Sequence, residues 1–133
     1  GTPYTLRFVH TRVDRAPALT EDGRLRMNVT LYADMVVTSA GTLGRRMESS
    51  VYRALERAAE ERVTAELSAM ARRTQELGLD LFGFGELFRD RLPRRFSETD
   101  DWNAAFRTLE IVTASDVSIT KSSAGPAILT PDG

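Results

Sequence analysis

Between Leu25 and Val37 every second residue is apolar: Leu25, Met27, Val29, Leu31, Ala33, Met35 and Val37 share one parity, with Arg26, Asn28, Thr30 and Asp34 between them. Successive side chains of a strand point to opposite faces, so the pattern predicts a long strand over residues 24–38 with one buried face. Upstream, Leu6 and Phe8 share a parity across Arg7. They predict a strand over residues 4–13 that breaks at Arg15-Ala16-Pro17. Residues 14–23, with Pro17 and Glu21-Asp22-Gly23, then read as a hairpin loop longer than the two-residue type.

Past Gly41 and Gly44 the period changes. Val51, Leu55, Ala58, Leu67, Met70, Thr74 and Leu77 recur at spacings near 3.6 and predict an amphipathic helix over residues 46–77. Its polar face carries Arg53, Arg57, Glu60, Glu61, Arg72, Arg73 and Glu76, and Gly78 stands where a left-handed C-terminal cap belongs. A coiled coil is the competing reading, but Arg62 and the many alanines interrupt a clean heptad.

Asp80 is placed to cap a short helix carrying Leu81, Phe84, Phe88 and Leu92 and stopping at Pro93. Ser97 with Asp100 resembles a capping box for another short helix, in which Trp102 and Phe106 form an i, i+4 pair facing the core. Leu109, Ile111, Val117 and Ile119 then share a parity, predicting a last strand over residues 107–121 with a polar middle at Thr113 and Ser115. The tail 122–133 holds Gly125, Pro126 and Pro131 and is expected to be mobile.

The order β-β-α-α-α-β predicts an α+β domain over residues 1–121, with an antiparallel or mixed sheet of at least three strands packed on a long amphipathic helix and two short ones. A helix and strands of these lengths exceed the width of a compact globule, so an elongated shape is expected unless a bend intervenes.

Composition narrows the chemistry. The 133 residues fit one domain, and the 18 basic and 19 acidic residues nearly cancel, so no net field draws in nucleic acid. The absence of cysteine removes disulfides, thiolate nucleophiles and cysteine zinc sites, and His10 is the only histidine. No apolar run approaches the roughly 18 residues that span a bilayer. Without an initiator methionine or an apolar leader, the chain reads as part of a longer protein.

The most distinctive run is Gln75-Glu76-Leu77-Gly78-Leu79-Asp80-Leu81-Phe82-Gly83-Phe84-Gly85-Glu86. It resembles the Ger(x)C family of spore germination lipoproteins, whose C-terminal domain ends its long helix in a glutamine, followed by a short linker and an Asp-Ile/Leu-Phe-Gly-Phe-Gly segment. Gln75, Asp80, Phe82, Gly83, Phe84 and Gly85 match that pattern here. A proline, an aromatic, a tryptophan, a phenylalanine and a valine-rich strand then follow in the family, matched by Pro93, Phe96, Trp102, Phe106 and the strand from Arg107. The family often has tryptophan where Phe96 stands. Its last strand usually ends in a basic pair and a glycine, where this chain has Lys121-Ser122-Ser123-Ala124-Gly125, which leaves the end of that strand open.

The resemblance covers most of the chain and implies the C-terminal domain of a germinant receptor lipoprotein, a structural and interaction subunit with no enzymatic activity and no cofactor. It implies a lipid anchor on a cysteine outside these residues, at the outer face of the spore inner membrane. The implied partners are integral membrane receptor subunits and other domains of the same lipoprotein.

Among single residues, Gly83 and Gly85 inside a helix would each cost about 1 kcal/mol relative to alanine, which points to close packing against a neighbouring element. Phe82 and Phe84 cannot both lie on one narrow helical stripe, so one is expected inward and the other at an edge. Arg89, Arg91, Arg94 and Arg95 form the densest basic cluster, read either as a solvated helix end or as an interaction patch. Catalysis finds little to work with. His10 has no second histidine for a metal, Asp100 and Asp101 read as helix-start residues, and Gly83-Phe84-Gly85 lacks the third glycine of a dinucleotide fingerprint. The alternative from another class is a small-ligand binding or sensor domain, with a cleft between the sheet and the aromatic short helices.

Overall fold

The computed structural model describes residues 5–38 and 49–121. Two strands, β1 (Thr5–Leu19) and β2 (Leu25–Thr38), are followed by a long helix α1 (Ser49–Leu77) and three short helices, α2 (Phe84–Arg91), α3 (Pro93–Ser97) and α4 (Trp102–Arg107). The last element is β3 (Glu110–Lys121). The sheet runs in the order β1-β2-β3, with β1 antiparallel to β2 and β2 parallel to β3. A parallel pair needs a crossover of a dozen residues or more, and the helices supply it. The fold is therefore α+β with a mixed three-stranded sheet. The expected mobile tail at 122–133 and the start of the long helix at residue 46 lie outside the described residues.

β2 is the central strand and its parity sets the core. Leu25, Met27, Val29, Ala33, Met35 and Val37 are buried, while Leu31 on the same face is only half-buried. Leu25, Met27 and Val29 join Leu67, Phe84, Phe88, Phe106 and Leu109 at one end of the sheet. At the other end Ala33, Met35 and Val37 meet Ala59, Val117 and Ile119.

Three expectations are corrected here. β1 does not break at Pro17 but continues to Leu19, because an edge strand carries a ladder on one side only and tolerates a proline. The hairpin connection is correspondingly short. Thr20 N–H donates to Arg24 O at 2.8 Å, Thr20 Oγ1 accepts from Arg24 N–H at 2.9 Å, and Gly23 takes the left-handed conformation at φ 83°. Next, Ser97 does not begin the Trp102 helix but ends α3; Asp101 caps α4, accepting from Ala104 N–H at 3.2 Å. Finally, Arg107 belongs to α4, so β3 begins at Glu110.

The buried face of α1 is Ala59, Val63, Leu67, Ala71 and Thr74, rotated from the expected stripe, so that Ala58, Met70 and Leu77 are exposed. The cause lies along β3. Glu60 accepts from Val117 N–H at 2.9 Å and Glu56 from Ile119 N–H at 3.0 Å, while Ser115 Oγ donates to Glu60 O at 2.9 Å. The outward N–H groups of an edge strand need acceptors. Helix α1 provides them, which turns Glu60 toward the sheet and not to the solvated face.

Candidate interaction surface

The chain leaves α1 through a Schellman turn: Leu79 N–H donates to Thr74 O and Gly78 N–H to Gln75 O, both at 3.0 Å, with Gly78 at φ 70°. Gln75 faces the other way. Its Nε2 donates to Phe106 O at 2.9 Å and Leu109 O at 2.8 Å, tying the end of α1 to the junction of α4 and β3. Arg107 packs over Gly78 and donates to Glu76 O at 3.0 Å, so the C-terminal carbonyls of α1 meet a cation.

Asp80 lies outside α2, three residues before its N-cap Gly83, so it is not the cap residue itself. Its carboxylate nonetheless closes the helix start: Oδ1 accepts from Phe84 N–H and Oδ2 from Gly85 N–H, both at 2.8 Å. Oδ2 also accepts from the Trp102 indole N–H at 3.1 Å. Gly83 is not inside a helix, as its sequence context indicated. It sits at φ 70°, a conformation that side chains with a Cβ avoid, and it turns the chain into α2. Gly85 is helical, and a Cβ there would lie 2.7 Å from Trp102 Nε1. The indole therefore packs on bare backbone.

Aromatic rings fill the space around this bracket. Phe84, Phe88 and Phe106 are fully buried. Trp102 is half-buried with its ring centroid 5.7 Å from Phe88 and Phe96 and 6.0 Å from Phe106. Phe82 stacks on Phe84 at 5.3 Å from a half-buried position, and its carbonyl accepts from Arg15 of β1. Pro93 occupies the first turn of α3, where its missing N–H costs nothing.

Apolar side chains also remain outside. At the end of α1 and on its connection to α2, Leu77, Leu79 and Leu81 are 50%, 49% and 72% exposed, and Leu81 is not in the helix it was expected to join. The structure splits the arginine cluster. Arg95 donates to Gly23 O at 2.9 Å and lies 3.8 Å from Glu98, whereas Arg89, Arg91 and Arg94 are exposed on α2 and α3. Arg15, Glu56, Glu60 and Arg107 hold the elements together, a role the sequence did not indicate: it placed Glu60 on the solvated helix face and Arg107 in the last strand. The i, i+4 spacing of Glu56 and Glu60 was a signal for the two acids; the two arginines left none.

Among the described residues, the candidates for catalysis do not come together. His10 is exposed on β1 opposite Asp34, and Asp100 and Asp101 are exposed beside α4. Among the described residues no group of three His, Asp or Glu side chains is arranged to hold a metal. Between the hairpin and α4, Arg24, Leu25, Arg95, Thr99, Thr108 and Glu110 line a cleft of about 230 Å³. No helix among the described residues is long and apolar enough to cross a membrane.

A family model described as Spore germination B3/GerAC like, C-terminal, matches residues 2–123. A comparison with curated proteins gives no match. The crystal structure of the GerBC protein superposes with a TM-score of 0.74 at 14% sequence identity, over 90% of this chain and 37% of that one. At that identity the likeness concerns the fold. This chain spans a little over a third of the GerBC chain.

Proposed function

Because this chain belongs to the spore germination B3/GerAC-like C-terminal family, we propose that residues 1–121 form a non-catalytic docking domain of a germinant receptor C subunit. The whole subunit is a lipoprotein at the outer face of the spore inner membrane, anchored by a lipid outside these residues and working beside integral membrane subunits. The domain needs no cofactor. It presents a rigid corner to the other subunits or to the rest of its own protein.

One observation carries this reading. Four of the residues that carry the family resemblance, Gln75, Asp80, Gly85 and Trp102, turn inward and bind α1, α2 and α4 to one another, while the three leucines between them are left in water. A segment whose Gln75 and Asp80 side chains are spent on internal backbone and indole groups is an architectural device. Its exposed leucines, together with Arg89, Arg91 and Arg94, are the surface on offer.

The test replaces Leu77, Leu79 and Leu81 together by serine in the full-length protein in spores. The three side chains are half or more exposed, and the turn that caps α1 is closed by backbone groups that serine keeps, so each replacement changes stability by about 0.5 kcal/mol or less and the melting temperature of the domain stays close to that of the wild type. Germination slows and the integral membrane subunits cease to co-purify. Normal germination with normal co-purification refutes the leucine corner as a docking surface. A melting temperature that rises with an amino acid, nucleoside or sugar points to the small-ligand reading instead.

A further inference from the structure

The two edges of the sheet are treated differently. Along β3, Glu60 and Glu56 of α1 accept the outward N–H groups of Val117 and Ile119. β1 is the opposite edge, and among the described residues no strand pairs with its outer side. It is 15 residues long and leaves Phe8, Val9 and Val13 at 49%, 56% and 44% exposure. A long edge with apolar side chains in the open is a template for another strand.

Two interruptions bound its regular part. The register against β2 shifts between Phe8 and His10, leaving Val9 without a partner, and Pro17 has no N–H to give. Residues 10–16 lie between them, and their midpoint is Val13. Directly opposed residues of an antiparallel pair share a face, so a two-fold axis relating two copies of β1 passes through a residue. With the axis at Val13, Arg12 stands opposite Asp14 of the second copy and Asp14 opposite Arg12. Thr11 stands opposite Arg15, His10 opposite Ala16, and Val13 meets itself. Moving the axis by one residue sets Arg12 against Arg12 or Asp14 against Asp14.

We propose that β1 joins two copies of this chain, pairing antiparallel about Val13 so that the two three-stranded sheets become one. Arg12 and Asp14 already lie 3.3 Å apart within one copy, both side chains more than half exposed. The two-fold assembles them into a closed set of four alternating charges. Val13, paired with Leu31, lies on the helix-bearing face and adds an apolar contact between the copies on that side.

Sedimentation equilibrium of the 133-residue chain tests this. The mass is expected to rise with concentration and to approach twice 14.8 kDa by about 0.1 mM. Arg12→Asp places acids opposite acids and Asp14→Arg places bases opposite bases, so each variant alone sediments as a monomer, with unchanged circular dichroism. Mixed in equal amounts they recover the doubled mass, because each acidic copy then faces a basic one. In a chain without native cysteine, Val13→Cys cross-links to itself on mild oxidation, whereas Arg7→Cys does not. A wild-type monomer overturns the proposal, as does a dimer that both charge variants retain or in which Val13→Cys fails to cross-link.

Discussion

The Trp102 indole N–H donates to Asp80 Oδ2 at 3.1 Å across 22 residues of sequence. The same oxygen takes the Gly85 N–H, so one carboxylate both closes the start of α2 and fixes the position of α4. Hydrogen bonds to a charged acceptor contribute about 1.5–3 kcal/mol, and an orphaned helix N-terminus adds to the loss.

Asp80→Ala is therefore expected to destabilise the domain by about 2–4 kcal/mol. Trp102→Phe, which keeps a ring but removes the donor, is expected to cost less than half of that. Denaturant melts of both variants check the order. Equal losses would mean that Asp80 matters only through Trp102 and not through α2.

The edge of β3 makes a second test. Glu56→Ala with Glu60→Ala leaves the N–H groups of Val117 and Ile119 without their acceptors. A loss of about 1–3 kcal/mol and concentration-dependent aggregation through the uncovered edge are expected. Arg53→Ala with Arg57→Ala, on the exposed face of the same helix, is expected to stay within about 0.5 kcal/mol per site. Light scattering during the melt separates the two pairs.

Strand β2 was legible because alternation reports burial directly: Met27 and Val29 are inside while Asn28 and Thr30 are not. The α1 face was misread because Glu56 and Glu60 satisfy backbone donors of β3, a partner 57 to 63 residues away that helical periodicity does not reveal. Pro17 misled for the opposite reason. A proline breaks a strand paired on both sides, and nothing local marks β1 as an edge. At the candidate surface, Asp80 and the glycines stood out as a local pattern. Which oxygen met which N–H depended on Trp102 arriving from another helix. The exposure of Leu81 was hidden by its apolar character, since it fits a helical stripe that Gly83 forestalls by turning left-handed.

Tyr52 packs against the second core cluster, and its buried hydroxyl has no hydrogen-bond partner among the described residues. Burial raises its pKa above the ordinary 10.0. The native state then holds the phenol proton more tightly than the unfolded chain. Stability present below about pH 10 is lost as the pH rises through the higher folded value. Tyr52→Phe removes this dependence. Its melting temperature is expected to match or exceed the wild type at pH 7 and to fall less steeply above about pH 10. Parallel alkaline slopes in the two proteins would assign the proton release to other groups.

Gly85 and Trp102 are coupled by space. A Cβ at position 85 would stand 2.7 Å from Trp102 Nε1, closer than a side chain can sit without a shift, and a tight 3.0 Å from Cε2 and 3.2 Å from Cδ1, and the indole is held by Asp80 on one side and by Phe88, Phe96 and Phe106 on others. Helix propensity alone would make Gly85→Ala stabilising by about 1 kcal/mol, since alanine is the better helix former. Overpacking instead predicts a loss of about 1–3 kcal/mol, because the ring must shift and stretch its bond to Asp80. The sign of the change decides between them. In a Trp102→Ala background the obstruction is gone, so Gly85→Ala is expected to become neutral or stabilising, giving a coupling energy of about 1–3 kcal/mol in the double-mutant cycle. Additive losses would mean that the cost arises elsewhere, and that the glycine is not there to admit the indole.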